Sequence, residues 1–109
     1  MIEWKEIENF CNRIAQCFHP DKIILYGSYG YGNPGQDSDV DVLVVLPFEV
    51  RCAQKAAEIL IQTDPHFPVD LLARTPQQVE ERVELGDFFI KEIVEKGKVM
   101  YEAPNSRMG

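Results

Sequence analysis

Ile23-Ile24-Leu25-Tyr26-Gly27-Ser28, then ten residues, then Asp39-Val40-Asp41-Val42-Leu43-Val44-Val45, is the stretch on which the reading of this chain turns. Each apolar run has the length and β-branched character of a buried strand. The segment between them contains Gly27, Gly30, Gly32 and Gly35, four of the seven glycines, and reads as a glycine-rich loop. Asp39 and Asp41 stand at i and i+2, so on a strand both carboxylates project from one face. Val40, Val42 and Val44 take the opposite face and anchor the strand in the core. Two unpaired carboxylates side by side are too costly to bury, so this strand must open onto a cleft or onto a cation. The plainer alternative is that Asp37, Ser38 and Asp39 only make a polar turn.

Outward from this stretch, periodicity predicts alternating helices and strands. Residues 2–18 form an amphipathic helix, with Ile7, Phe10, Cys11, Ile14 and Phe18 inward and Glu6, Glu8, Asn12 and Arg13 outward. His19-Pro20-Asp21 stops it. Strands are expected at 22–26 and 40–46, and a helix over about 48–62 with Val50, Ala53, Ala57 and Leu60 on its apolar face. A third strand covers 69–73. Thr75-Pro76-Gln77-Gln78 then starts a helix to about Leu85, with Thr75 as N-cap and Gln78 completing a capping box. Asp87 caps a short helix over 88–96, Gly97 ends it as a C′ residue, and 98–101 makes an edge strand. The expected fold is α/β: a small mixed β-sheet with flanking helices. A dozen loop residues between the first two strands are too few for a comfortable parallel crossover. Residues 1–102 are expected to be one domain, with 103–109 a disordered tail.

Composition narrows the function classes. The net charge of −7 and the lack of a dense Lys/Arg cluster argue against direct nucleic-acid binding. The acidic N-terminus is unlike a signal peptide, and residues 42–48 are too short to span a bilayer, so no membrane role and a cytoplasmic location are expected. Cys11, Cys17 and Cys52 form an odd set with no Cys-x-x-Cys pair and read as reduced, mostly buried thiols.

Asp70 strengthens the metal reading. It interrupts the apolar run Val69-Asp70-Leu71-Leu72, and a neighbouring strand would bring it beside Asp39 and Asp41. Three carboxylates on two strands suit a metal site or an acid/base centre better than coincidence does. Gly27 and Ser28 supply backbone amides and a hydroxyl suited to an anion, without the Lys-Ser/Thr ending of a Walker-type phosphate loop. Arg74, just past the Asp70 strand, reads as a surface arginine, with a phosphate contact as the alternative. His19 and His66 flank prolines in turns and are not read as ligands. Phe88-Phe89 reads as core, with one ring left on a partner surface as the alternative, and Glu80, Glu81 and Arg82 as a solvated helix face.

Gly27-Ser28, Asp39-x-Asp41 and Asp70 together resemble the nucleotidyltransferase superfamily that includes DNA polymerase β. The run Asp37-Ser38-Asp39-Val40-Asp41-Val42-Leu43-Val44 and the ending Gly97-Lys98-Val99-Met100-Tyr101-Glu102 are similar to its minimal (MNT) branch. The resemblance implies a nucleotidyltransferase fold in which Asp39, Asp41 and Asp70 are catalytic and bind Mg²⁺. Gly27 and Ser28 would contact the triphosphate of ATP. It further implies an antitoxin that transfers AMP to a tyrosine of a HEPN-domain toxin. Where relatives carry arginine after Gly-Ser, this chain has Tyr29-Gly30-Tyr31, so the resemblance leaves the phosphate charge to the metals, backbone amides and Lys22 or Arg74. Larger relatives hold the acceptor on a second domain, so here the acceptor is expected on another protein. Transfer to a small hydroxylated molecule, neutralisation by binding alone, and a homo-oligomer stay open as alternatives.

Overall fold

The computed structural model describes residues 2–35 and 38–104. Asp37 of the expected polar turn and residues 105–109 of the expected tail lie outside the described residues. In chain order the elements are α1 (Trp4–Phe18), β1 (Lys22–Tyr26), α2 (Gly27–Tyr31), β2 (Val40–Val45), α3 (Cys52–Thr63), β3 (Val69–Arg74), α4 (Pro76–Glu84), α5 (Phe88–Lys96) and β4 (Lys98–Glu102). Four strands make one sheet in the order β3-β2-β1-β4. β1 runs antiparallel to both β2 and β4, while β2 and β3 are parallel. The sheet is mixed, as the short β1–β2 connection requires.

Strand alternation sorts the core into two layers. Val40, Val42 and Val44 point to one face with Ile23 and Leu25, and meet Ile7, Phe10, Ile14 and Ile59 of α1 and α3. Leu43, Val45, Ile24 and Tyr26 point to the other face and meet Val79, Ile90 and Ile93 of α4 and α5. Both faces of β2 are therefore covered, which explains a strand written almost entirely in valine and leucine.

Local chemistry sets the helix starts. Gln78 N donates to Thr75 Oγ1 (3.1 Å) and Thr75 N to Gln78 Oε1 (2.9 Å), the expected capping box, with Pro76 at the first helical position. Asp87 Oδ1 accepts from Phe89 N and Ile90 N at the head of α5. Gly97 follows α5 in an extended conformation (φ −66°), not the left-handed one expected of a C′ residue. What requires glycine there is space: a Cβ would run into Ile24 Cγ2 and Ile93 O.

Several expectations change. The glycine-rich segment after β1 opens with a five-residue helix, α2, whose Tyr29 is buried and accepts a hydrogen bond from Ile2 N (2.9 Å). Tertiary contact overrides the poor helix propensity of glycine. α3 begins at Cys52, and Val50, Ala53 and Ala57 are exposed; Ile59 and Thr63 are its buried residues, with Ala56 and Leu60 packed against the core. Arg13 is half-buried, its Nε donating to Thr63 O (3.2 Å). Cys17 is exposed, whereas Cys11 is buried and its thiol is pushed up to about 12 by desolvation and then by Glu8. Ala103 N donates to Asp21 O (2.9 Å), so main-chain pairing runs past β4. Among the described residues no helix is long and apolar enough to cross a membrane.

Candidate active site

Sheet register assembles the site. Asp41 on β2 is the direct partner of Asp70 on the parallel neighbour β3, and Tyr26 on β1 is the antiparallel partner of Asp41. Registered residues on adjacent strands share a face, so Tyr26, Asp41 and Asp70 form a row across three strands. Asp39 lies just before β2, where Val40 N donates to Pro68 O (3.0 Å) and keeps the β2 and β3 entrances together. Asp39 and Asp70 are exposed and Asp41 is half-buried.

Gly27 closes the row on its α2 side. Its φ of +65° is a left-handed conformation, and a Cβ at this position would collide with Asp41 Oδ2. The glycine thus lets the β1–α2 backbone lie directly against the Asp41 carboxylate. Ser28 follows, half-buried, with its carbonyl accepting from Asn33 N (2.8 Å). Ser38 Oγ accepts from Gly35 N (2.8 Å) on the approach to β2.

The electrostatics are those of crowded acids. Asp41 is raised above the ordinary carboxylate range, by desolvation first, then by Asp70 and by Asp39. The Tyr26 phenol is raised by burial and then by Asp70 and Asp41, against the pull of Arg74. Tyr31 is also raised, by desolvation and then by Glu92, against the pull of a hydrogen bond with the Gly27 backbone. Such a row favours a cation, and its all-oxygen donor set suits Mg²⁺. Among the described residues, no group of three His, Cys, Asp or Glu side chains is gathered closely enough to enclose a metal ion. The acids converge on one end of the sheet without forming a closed cage.

Sequence reasoning therefore named the acids and Gly27 that share this end of the sheet. It missed Tyr26, whose signal was its place as the last residue of β1 in an antiparallel pair. Both candidate cations have their backbone at the opposite end of the sheet, but the Arg74 charge reaches the acid row, where it pulls the Tyr26 phenol down against Asp70 and Asp41. Lys22 is at the far end of β1, opposite Val45, and pairs with Glu102 (3.3 Å). Arg74 ends β3, opposite Val45 on the other side, and its Nη1 donates to Ala73 O (2.7 Å). Phe88 and Phe89 are not core: they are 86% and 51% exposed, because Ile90 and Ile93 occupy the inward face of α5. Phe89 meets the Tyr26 ring edge-on, with centroids 5.7 Å apart.

Comparison with known proteins agrees with this fold. Residues 5–100 match a family model described as a nucleotidyltransferase domain. No curated protein matches significantly. Among solved structures, a Sulfolobus solfataricus protein provisionally assigned as a nucleotidyltransferase is similar over 94% of this chain and 82% of that one, with 15% identity and a TM-score of 0.63. A chain of the toxin–antitoxin complex MntA-HpeT, in a mutant with two aspartates changed to glutamate, is similar over 89% and 74%, with 17% identity and a TM-score of 0.51. A chain of a toxin–antitoxin complex with AMP-PNP is similar over the same shares, with 20% identity and a TM-score of 0.51.

Proposed function

The chain belongs to the nucleotidyltransferase domain family, and on that premise we propose that it is a Mg²⁺-dependent antitoxin that transfers AMP from ATP to a tyrosine of a partner HEPN-domain toxin. We take residues 1–102 as one minimal domain acting in the cytoplasm. The observation that carries the proposal is the registered pair Asp41 and Asp70, with Asp39 beside it and the Gly27 backbone laid against Asp41. The likeness in fold to chains of toxin–antitoxin complexes supports a protein acceptor.

Asp39, Asp41 and Asp70 would hold the ion, which when bound neutralises charge on the phosphate oxygens. Gly27 and Ser28 contact the triphosphate through backbone amides and a hydroxyl, and the missing Gly27 Cβ lets that backbone lie beside Asp41. Tyr26 flanks Asp41 on the β1 side of the acid row. The acceptor hydroxyl oxygen bonds to the α-phosphorus as the bond to the departing pyrophosphate breaks, and Asp70 accepts the hydroxyl proton. Such transfers need positioning and charge stabilisation more than covalent catalysis by the protein.

The test is incubation with ATP, Mg²⁺ and the product of the reading frame beside its own, read by mass spectrometry. The expected product is AMP on a partner tyrosine, lost in Asp39→Asn and Asp41→Asn. Full neutralisation of the partner by those variants, with no adduct ever formed, overturns the proposal in favour of binding alone. Adducts only on small hydroxylated compounds overturn the protein acceptor.

A further inference from the structure

Three large apolar side chains stand in solvent at the corner between α4 and α5: Leu85 is 76% exposed, Phe88 86% and Phe89 51%. Clustered exposed apolar groups on a folded domain mark a contact surface. The corner is rigidly built. Gly86 turns it at φ +83°, Asp87 caps α5, and Arg82 holds Asp87 Oδ2 through Nε and Nη2, each at 2.9 Å. Ile90 and Ile93 fasten the same helix to the sheet. A rigid projection loses little freedom when covered, which favours binding.

Charge narrows the choice of occupant. Residues 76–96 hold six acids and three bases. With Arg82 tied to Asp87 and Lys96 lying 3.9 Å from Glu92, the exposed Glu80, Glu81, Glu84 and Glu95 outweigh Lys91. A second copy related by twofold symmetry would set this acidic rim against itself, and an anionic membrane would repel it too. A partner with an apolar cleft rimmed by lysine and arginine complements both the rings and the charge. The corner also adjoins the acid row, because Phe89 packs on Tyr26 and Tyr26 is the register partner of Asp41.

We infer that Leu85, Phe88 and Phe89 form the docking surface for the partner protein that carries the acceptor hydroxyl, which meets them with an apolar cleft rimmed by lysine and arginine. This rests on the protein-acceptor reading above and adds to it the face by which that protein is held.

The test measures binding of the transfer-dead Asp41→Asn protein to the purified product of the neighbouring reading frame by titration calorimetry. Adding Leu85→Ser with Phe88→Ser, or Glu81→Lys with Glu84→Lys, is expected to raise Kd at least about tenfold while circular dichroism stays unchanged. With Asp41 intact, the same pairs are expected to raise KM for the acceptor protein and leave kcat within about twofold. An unchanged Kd in both pairs overturns the inference. So does self-association of the chain alone that Leu85→Ser with Phe88→Ser abolishes, since it assigns the corner to a second copy. Weakened binding in these pairs, with no AMP transferred even when Asp41 is intact, upholds the docking surface and removes the transfer reading.

Discussion

Replacing Asp41 by asparagine is expected to stabilise the metal-free protein while abolishing transfer. Asp41 and Asp70 are register partners on adjacent strands, a spacing of about 4.8 Å. Two unit charges about 5 Å apart in a water-like medium repel by about 0.8 kcal/mol. Asp41 is only half-buried and Asp70 is exposed, so that limit applies, and Asp39 adds a weaker repulsion. Relief of about 1 kcal/mol corresponds to a rise in Tm of roughly 4–6 °C for a domain this size. The pH dependence has a definite sign. Desolvation, Asp70 and Asp39 raise Asp41 in the folded state, so the folded protein binds this proton more tightly than the unfolded chain. The penalty therefore grows as pH rises through the raised value, and the two proteins converge at about pH 3, below the usual carboxylate range. Magnesium reverses the order. At about 10 mM, a site with Kd of about 1 mM stabilises the unsubstituted protein by about 1.4 kcal/mol, and the asparagine variant gains little. Thermal melts in EDTA and in Mg²⁺, at pH 7 and pH 3, measure all of this. Equal melting temperatures in EDTA at pH 7 would show that Asp41 is not crowded by Asp70, and equal gains from Mg²⁺ that it does not hold the ion.

Asp70→Asn is expected to weaken Mg²⁺-ATP binding several-fold and to lower single-turnover transfer further, by at least about 100-fold, since it removes both an ion ligand and the proton acceptor; losses of equal size in binding and rate would leave it the ligand role alone. Gly97→Ala forces a Cβ against Ile24 Cγ2 and Ile93 O, and is expected to cost about 1–3 kcal/mol in urea unfolding. Thr75→Ala removes the capping box of α4 and is expected to cost about 1 kcal/mol, seen as a lower urea midpoint with an unchanged slope.

What the sequence reveals here follows how local the determining physics is. The start of α4 is legible because its cap, its proline and its box partner all lie within four residues. β2 is legible because a strand covered on both faces is apolar at every position but Asp41, where it opens onto the site. The acids are legible as chemistry, since charges inside apolar runs demand a partner, but their pairing rests on the β2–β3 register, which no local pattern encodes. α2 was hidden because Gly27 and Gly30 oppose a helix; its formation rests on Tyr29 packing into the core and bonding to Ile2 N. Phe88 and Phe89 read as core by hydropathy, yet two inward positions on a nine-residue helix were already taken by Ile90 and Ile93. The inward face of α3 was misassigned for a related reason: small alanines carry little periodic signal, and Ile59 and Thr63 decide its orientation.

If the Asp39, Asp41 and Asp70 end of the sheet moves a nucleotidyl group and not a phosphoryl group onto a partner protein, parallel reactions with ATP labelled at the α- or the γ-phosphate separate the two. The expected result is α-label on a tyrosine of the partner, with γ-label leaving as pyrophosphate. Retention of γ-label on the partner, or equal α-labelling by the Asp41→Asn protein, overturns nucleotidyl transfer by these acids.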